Sequence, residues 1–253
     1  MSIFVFYKEI KESVLVTNFT LCADDFGLNS VVDQAVFRLV ADGRLNAVSC
    51  MAGGANFALD APVLLGVVKA APLPVEIGLH VTLTEYAPLD NMPHFAPAGR
   101  LPSIASLLVK SHVGALQGDE IKQEVHRQWQ RVVEVIGRVP DFIDGHQHAH
   151  LMPVIRKHII DLAKGSLPAG GWVRSCYSGR KPRRTTQLAT WRSKIITMLA
   201  KNMAAELKKA GVNSNAHFYG INDFNRREDF GALMRGWLHQ TASHAHDWSL
   251  IMC

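Results

Sequence analysis

Short apolar runs alternate with stretches of helical periodicity along this chain. Residues 14–16 and 19–22 read as extended, and the second run leads straight into Ala23-Asp24-Asp25. Val31, Val32, Ala35, Val36, Leu39 and Val40 then recur at the spacing of one helical face, with Ser30 as the cap and Gly43 as the stop. Residues 46–51 and 75–83 predict two more strands, the second with His80 inside it. The strongest helix signal follows. Ile121, Val125, Trp129, Val132, Val133 and Ile136 share a face, Asp119 and Glu120 stand at its start, and Gly137 ends it. Phe142-Ile143 predicts a short strand running into Asp144-Gly145-His146-Gln147-His148-Ala149-His150, and Pro153 suits the first turn of another helix. Residues 172–175 predict a strand, 188–209 a basic helix, 230–238 a last helix and 249–253 a last strand.

Strands alternating with helices imply parallel pairing through crossover helices, hence an α/β fold. A (β/α) barrel is the leading architecture and a doubly wound sheet the runner-up. The first strand is followed by no GxGxxG, which argues against a dinucleotide site. The 253 residues suit one barrel, so residues 1–253 are read as a single domain. The chain has no run of 18 apolar residues, so a spanning helix is not expected. Met1 to Phe6 is apolar but lacks a basic flank, and Lys8, Glu9, Lys11 and Glu12 interrupt it. A cytoplasmic location is therefore expected over export. Cys22, Cys50, Cys176 and Cys253 include no CxxC pair, and reduced, buried thiols are expected.

Three polar clusters, far apart in sequence, share one placement. Asp24-Asp25, His80 and His146 each fall at or near the C-terminal end of a predicted strand. In a parallel barrel those ends converge on the face where active sites assemble. Two histidines and a carboxylate then make a three-ligand metal site with open positions, a catalytic arrangement rather than a structural one. Taken singly, an Asp-Asp pair after a strand is usually a turn, and a histidine in an apolar run is usually core. Three histidines at alternate positions after residue 145 are harder to bury without a ligand.

The same residues carry a family resemblance. Ala23-Asp24-Asp25-Phe26-Gly27-Leu28 resembles the first signature of the YdjC-like carbohydrate deacetylases. Gly78-Leu79-His80 with Thr82-Leu83-Thr84 resembles the second, and Asp144 to His150 resembles the third. Order and approximate spacing match, and the likeness runs from about residue 19 to the last residue. The resemblance implies a distorted β/α barrel that removes acetyl groups from N-acetylated sugars with one divalent metal ion, zinc or magnesium. It assigns Asp25, His80 and His146 as ligands and Asp24 as the base, and His148, His150 and Tyr219 are expected to contact substrate.

One departure stands out. Family chains continue the strand at 250–253 into a His-Pro pair whose histidine suits the acid role, whereas this sequence stops at Cys253. The barrel is therefore expected to be incomplete at its C-terminus, truncated relative to the family pattern. An open sheet edge there would favour association into a homo-oligomer. Two rival readings follow: an inactive carbohydrate-binding remnant, and a non-haem iron oxygenase using two histidines and a carboxylate. The strand–helix alternation speaks against the second.

The formal charge of +5 is unevenly placed. Nine Lys or Arg and no Asp or Glu lie between residues 162 and 205, so this segment carries the whole excess. Leu188, Trp191, Ile195, Ile196 and Leu199 interleave there with Arg192, Lys194 and Lys201, a pattern suited to peripheral contact with the inner face of an anionic membrane. No nucleic-acid reader motif accompanies the charge, so no nucleic-acid partner is expected. Residues 174–224, including His217-Phe218-Tyr219-Gly220, resemble the branch of the family associated with hopanoid biosynthesis. That resemblance implies a glycolipid substrate; the other branch acts on chitin-derived oligosaccharides.

Overall fold

The computed structural model describes residues 18–178, 187–221, 229–244 and 246–253. The strand expected at 14–16 lies outside them. In chain order the elements are β1 (Phe19–Phe26), α1 (Ser30–Ala41), β2 (Ala47–Cys50), α2 (Phe57–Ala70), β3 (Glu76–Val81), α3 (Ile104–His112), α4 (Gly118–Ile136) and β4 (Phe142–Gly145). A 3-10 segment (His146–Leu151) follows, then α5 (Pro153–Ser166), β5 (Trp172–Val173), α6 (Gln187–Ala210), β6 (His217–Tyr219), α7 (Phe230–Ala242) and β7 (Ser249–Met252).

Local chemistry sets most of the boundaries. Asn29, one residue before the expected Ser30, caps α1 by accepting from Val31 N and Val32 N. α4 begins with Asp119 and Glu120 and ends at left-handed Gly137, whose N–H donates to Val133 O. Its buried face includes Ile121, Val125, Trp129, Val132 and Ile136, as the periodicity predicts. Pro153 occupies the first turn of α5.

All the described strands pair in parallel, in the order β5-β4-β3-β2-β1-β7-β6. At the ends of the sheet, β5 meets the segment just before β6 through an isolated parallel bridge between Trp172 and Asn213. Val173 N donates to Asn213 O at 2.9 Å, and Ser175 N donates to Asn215 Oδ1 at 3.0 Å. The result is a distorted β/α barrel with one narrow seam. The open edge expected beside the last strand is not there. β7 lies between β1 and β6, with Ser249 opposite both Phe19 and His217, so both of its sides are paired.

Period-two alternation fills the barrel in layers. Gly78, Phe142 and Trp172 are in-register neighbours on β3, β4 and β5. Phe142 stacks on Trp172 with centroids 4.1 Å apart and planes 5° from parallel, and Trp248 meets Trp172 edge-on at 5.0 Å. The indole N–H groups reach Glu76 and Thr20. This aromatic layer closes the N-terminal half of the barrel and forms a floor. Gly78 has no side chain because the Phe142 ring occupies the space a Cβ would take. Gly78→Ala is therefore expected to destabilise the protein by about 1–3 kcal/mol through overpacking. An unchanged urea midpoint for this variant would show that the floor is looser than described.

Candidate active site

Two residues further along β3, β4 and β5, the same alternation builds a polar layer, which Ser49 of β2 joins from the row of Gly78. Ser49 lies opposite Gly78, His80 opposite Asp144, and Arg174 follows β5 with its N–H on Ile143 O. From β1, Cys22 and Asp24 point the same way and both touch Arg174. By strict alternation Asp25 would face outward. The β1–β2 register shifts between Ala23 and Phe26, and Asp25 takes the left-handed conformation (φ 63°). That local break lets adjacent Asp24 and Asp25 serve one site. Asp33, fully buried on α1, accepts from Gly27 N at 2.7 Å and fixes the turn that follows.

Asp25 Oδ1 receives both candidate histidines, His146 Nδ1 at 2.7 Å and His80 Nε2 at 3.1 Å. The other ring nitrogen of His80, Nδ1, lies 2.6 Å from Asp144 Oδ1, and Ser49 Oγ contacts both. Asp144 is fully buried and forms a close ion pair through Oδ2 with Arg174 Nη2. Arg174, also fully buried, grips Asp24 with two N–H···O bonds of 2.6 Å. A continuous chain thus runs Asp24–Arg174–Asp144–His80–Asp25–His146.

The electrostatics follow from that chain. Burial pushes the Asp25 carboxyl up, but hydrogen bonds from His146 and His80 outweigh it and hold the group well below the usual carboxylate range. Asp144 is likewise lowered: burial opposes its charge, and Arg174 and then His80 more than offset burial. Burial alone would lower His80, yet the neighbouring Asp144 charge carries it up to about 10.

The expected metal ligands are thus brought together: one donor atom each from Asp25, His80 and His146 lies within 4.8 Å of the others. The donor set suits a divalent ion. Asp144 holds His80 Nδ1, so Nε2 is turned toward Asp25, the usual second-sphere arrangement for a ligating histidine. Asp24, Asp25 and Asp144 carry three carboxylate charges against the one Arg174 guanidinium, which pairs with Asp24 and Asp144 and leaves Asp25 to the histidines, and a dication balances the remainder without protonating His80. Cys22, Asp24 and Asp144 form a second cluster of ligand type, but the Arg174 guanidinium already fills it.

The other expected residues are placed differently. His150 is fully buried, with Nε2 on Arg174 O at 3.0 Å, so it supports Arg174 from behind. His148 is half-buried, between Cys176 Sγ at 3.5 Å and the edge of Phe218. Burial lowers His148 to about 3 and His150 to about 4, so both rings are neutral near pH 7. Tyr219 is buried on β6 beside Trp237 and Ile251. Tyr86, which the sequence does not single out, packs its ring 5.6 Å from His146. Beyond β3, Gln128 of α4 clamps Thr82 through N–H···Oε1 (2.8 Å) and Nε2–H···O (2.7 Å), steadying the segment that follows His80. Cys22, Cys50 and Cys176 are buried free thiols as expected, whereas Cys253 is exposed; its carbonyl accepts from Asp24 N.

Arg174, Asp144 and Ser49 are members of this candidate site that sequence reasoning missed. Arg174→Met is expected to cost about 3–5 kcal/mol of stability, because Asp24 and Asp144 would keep buried charges without a partner. Arg174→Lys should recover only part, since one ammonium cannot reproduce the fork that spans both carboxylates. Equilibrium urea unfolding measures both; a neutral Arg174→Met would contradict the ion-pair account.

A chitooligosaccharide deacetylase of Escherichia fergusonii is 32% identical over 144 residues, 57% of this chain and 53% of its own length. One from Serratia marcescens is 34% identical over 145 residues, again 57% of this chain and 53% of its own. The chain thus spans about half the length of the curated relatives it matches. The crystal structure of a proposed cellobiose-phosphate cleavage protein from Enterococcus faecalis superposes with a TM-score of 0.66 at 17% identity, covering 93% of this chain and 79% of that one, a likeness of fold. The family described as YdjC-like protein matches residues 18–253, which contain every strand and every site residue described above, and the chain belongs to that family.

Proposed function

We propose that the protein is a metal-dependent hydrolase that removes the acetyl group from an N-acetylated amino sugar. The observation that carries this reading is the convergence of Asp25, His80 and His146 donor atoms beside an Asp24 carboxylate that Arg174 holds in place. A divalent ion held by those three residues supplies a Lewis acid that polarises an amide carbonyl and acidifies water. Zinc fits two imidazoles and a carboxylate best, and magnesium is the second choice.

The chain's own groups do the rest. Asp24 offers a carboxylate whose two oxygens each take one Arg174 N–H and keep further lone pairs free. It receives a proton from the attacking water, whose oxygen joins the acetyl carbon; the C–N bond then breaks, and the departing amine takes that proton from Asp24, which returns to its carboxylate form. Arg174 orients Asp24 and, through Asp144, also fixes His80. Tyr86 forms a wall beside His146.

The relatives named chitooligosaccharide deacetylases favour an oligosaccharide of N-acetylglucosamine as substrate. The glycolipid reading rests on the resemblance of residues 174–224 to the hopanoid-associated branch and on the basic segment. Its Arg180, Lys181, Arg183 and Arg184 lie outside the described residues, as do the side chains of Arg192 and Lys194. No helix among the described residues is long and apolar enough to cross a membrane.

Acetate release from N-acetylchitooligosaccharide and from an N-acetylglucosaminyl lipid, with oxygen consumption followed in parallel, tests the reaction. Acetate without oxygen uptake is expected. Oxygen-dependent turnover would favour the oxygenase, and sugar binding with no acetate would favour a non-catalytic remnant. Within the same assay, Asp24→Asn should keep its metal and lose about 10²–10⁴-fold in rate, the usual worth of a general base. His80→Ala and His146→Ala should each lose one equivalent of bound metal. Unchanged metal content in both would sink the ligand assignment.

A further inference from the structure

We propose that His217, His244 and Asp247 form a second metal site, for zinc, at the opposite end of the barrel from the candidate active site. His217 opens β6 and pairs with Ser249, the first residue of β7, so it stands at the N-terminal end of both strands. Asp24, Asp25, His80 and Asp144 stand toward the C-terminal ends of theirs. His244 follows α7, and Asp247 lies just before β7. Two separate parts of the fold, the start of β6 and the connection from α7 to β7, therefore deliver the three donors.

The three side chains converge. The His217 and His244 rings stack with centroids 4.1 Å apart and planes 26° from parallel. His217 Nε2 lies 3.2 Å from Asp247 Oδ2. One nitrogen of each ring and one carboxylate oxygen lie within 4.8 Å of one another. The backbone holds this pose: His244 N donates to Thr241 O at 3.0 Å and Asp247 N to His244 O at 2.9 Å. His217 Nδ1 is buried and has no hydrogen-bond partner among the described residues, so the ring's polar engagement is with the cluster.

An exposed histidine–aspartate pair alone is worth little, and nothing in it calls for a second imidazole stacked on the first. Two imidazoles and a carboxylate on one ion account for the three-way convergence, and zinc is the common ion that prefers this set. The side chain of His217 is 15% exposed and that of Asp247 58%, so the site has an inner wall and an open side where water completes the coordination. An ion there ties the end of α7 to the starts of β6 and β7. β7 is the strand whose far end pairs with Asp24 through Cys253, so the role is structural. The site shares no residue with the deacetylase reading and stands or falls separately from it.

The test uses the full chain without a histidine tag. Asp25→Ala/His80→Ala protein, which lacks the first site, is titrated calorimetrically with zinc chloride and melted with and without it. Zinc should still bind and raise the melting temperature. Adding His244→Gln should remove both effects while leaving the zinc-free melting temperature in place, and Asp247→Asn, at an exposed position, should weaken binding in the same direction. The proposal is overturned if the Asp25→Ala/His80→Ala protein binds no zinc, or if binding and the thermal shift persist undiminished after His244→Gln.

Discussion

Everything at this site depends on one buried cation. The Arg174 guanidinium has no exposed surface and lies between Asp24 on one side and Asp144 on the other. Removing a guanidinium from water costs several kcal/mol, and an arrangement of this kind persists only where hydrogen bonds and opposite charges offset that cost. Here the offset also positions two functional groups. One side of the fork aims the proposed base, and the other anchors the carboxylate that turns His80 Nε2 toward Asp25. Since Asp24, Asp144 and Arg174 belong to or follow β1, β4 and β5, the same contact braces the barrel across its interior.

The second constraint is backbone strain. Among the described residues, the non-glycine positions with positive φ are Asp25, Glu85, Gln147, His148 and Cys176. Asp25 is a proposed ligand, and Glu85 precedes the tyrosine that packs on His146. Gln147 and His148 follow His146, and Cys176 lies two residues after Arg174. Such conformations cost about 1–3 kcal/mol each and survive where the surroundings over-determine them. Their grouping around one end of the barrel marks it as the place where precise aim outweighs backbone comfort.

Much of this was legible in the sequence, for identifiable reasons. The amphipathic stripe of α4 and the apolar runs of β1 to β4 are long or regular enough to declare themselves, and so is the convergence of Asp25, His80 and His146 at strand ends. Other features carry weak local signals. α2 is apolar nearly throughout and contains Pro62, so it shows no clear stripe. β6 has three residues, two of them His and Tyr, and no alternation to read. Arg174 is hidden among nine basic residues that look like a surface patch, because nothing local distinguishes a buried guanidinium from a solvated one. Its role emerges only from register, counted two residues beyond Trp172 and set beside Asp144. The placement of β7 between β1 and β6 likewise depends on how far the sheet curls, which is a property of the whole barrel.

The central claim is that Asp25, His80 and His146 together hold a catalytic metal ion. Anomalous diffraction from a zinc-loaded crystal, collected on both sides of the zinc absorption edge, tests it without reference to substrate or rate. The account predicts an anomalous peak bonded to an Asp25 oxygen, His80 Nε2 and His146 Nδ1, with Asp144 still on His80 Nδ1. Loaded crystals in which that position shows no anomalous density, with the His80–Asp25 and His146–Asp25 contacts intact, would contradict it.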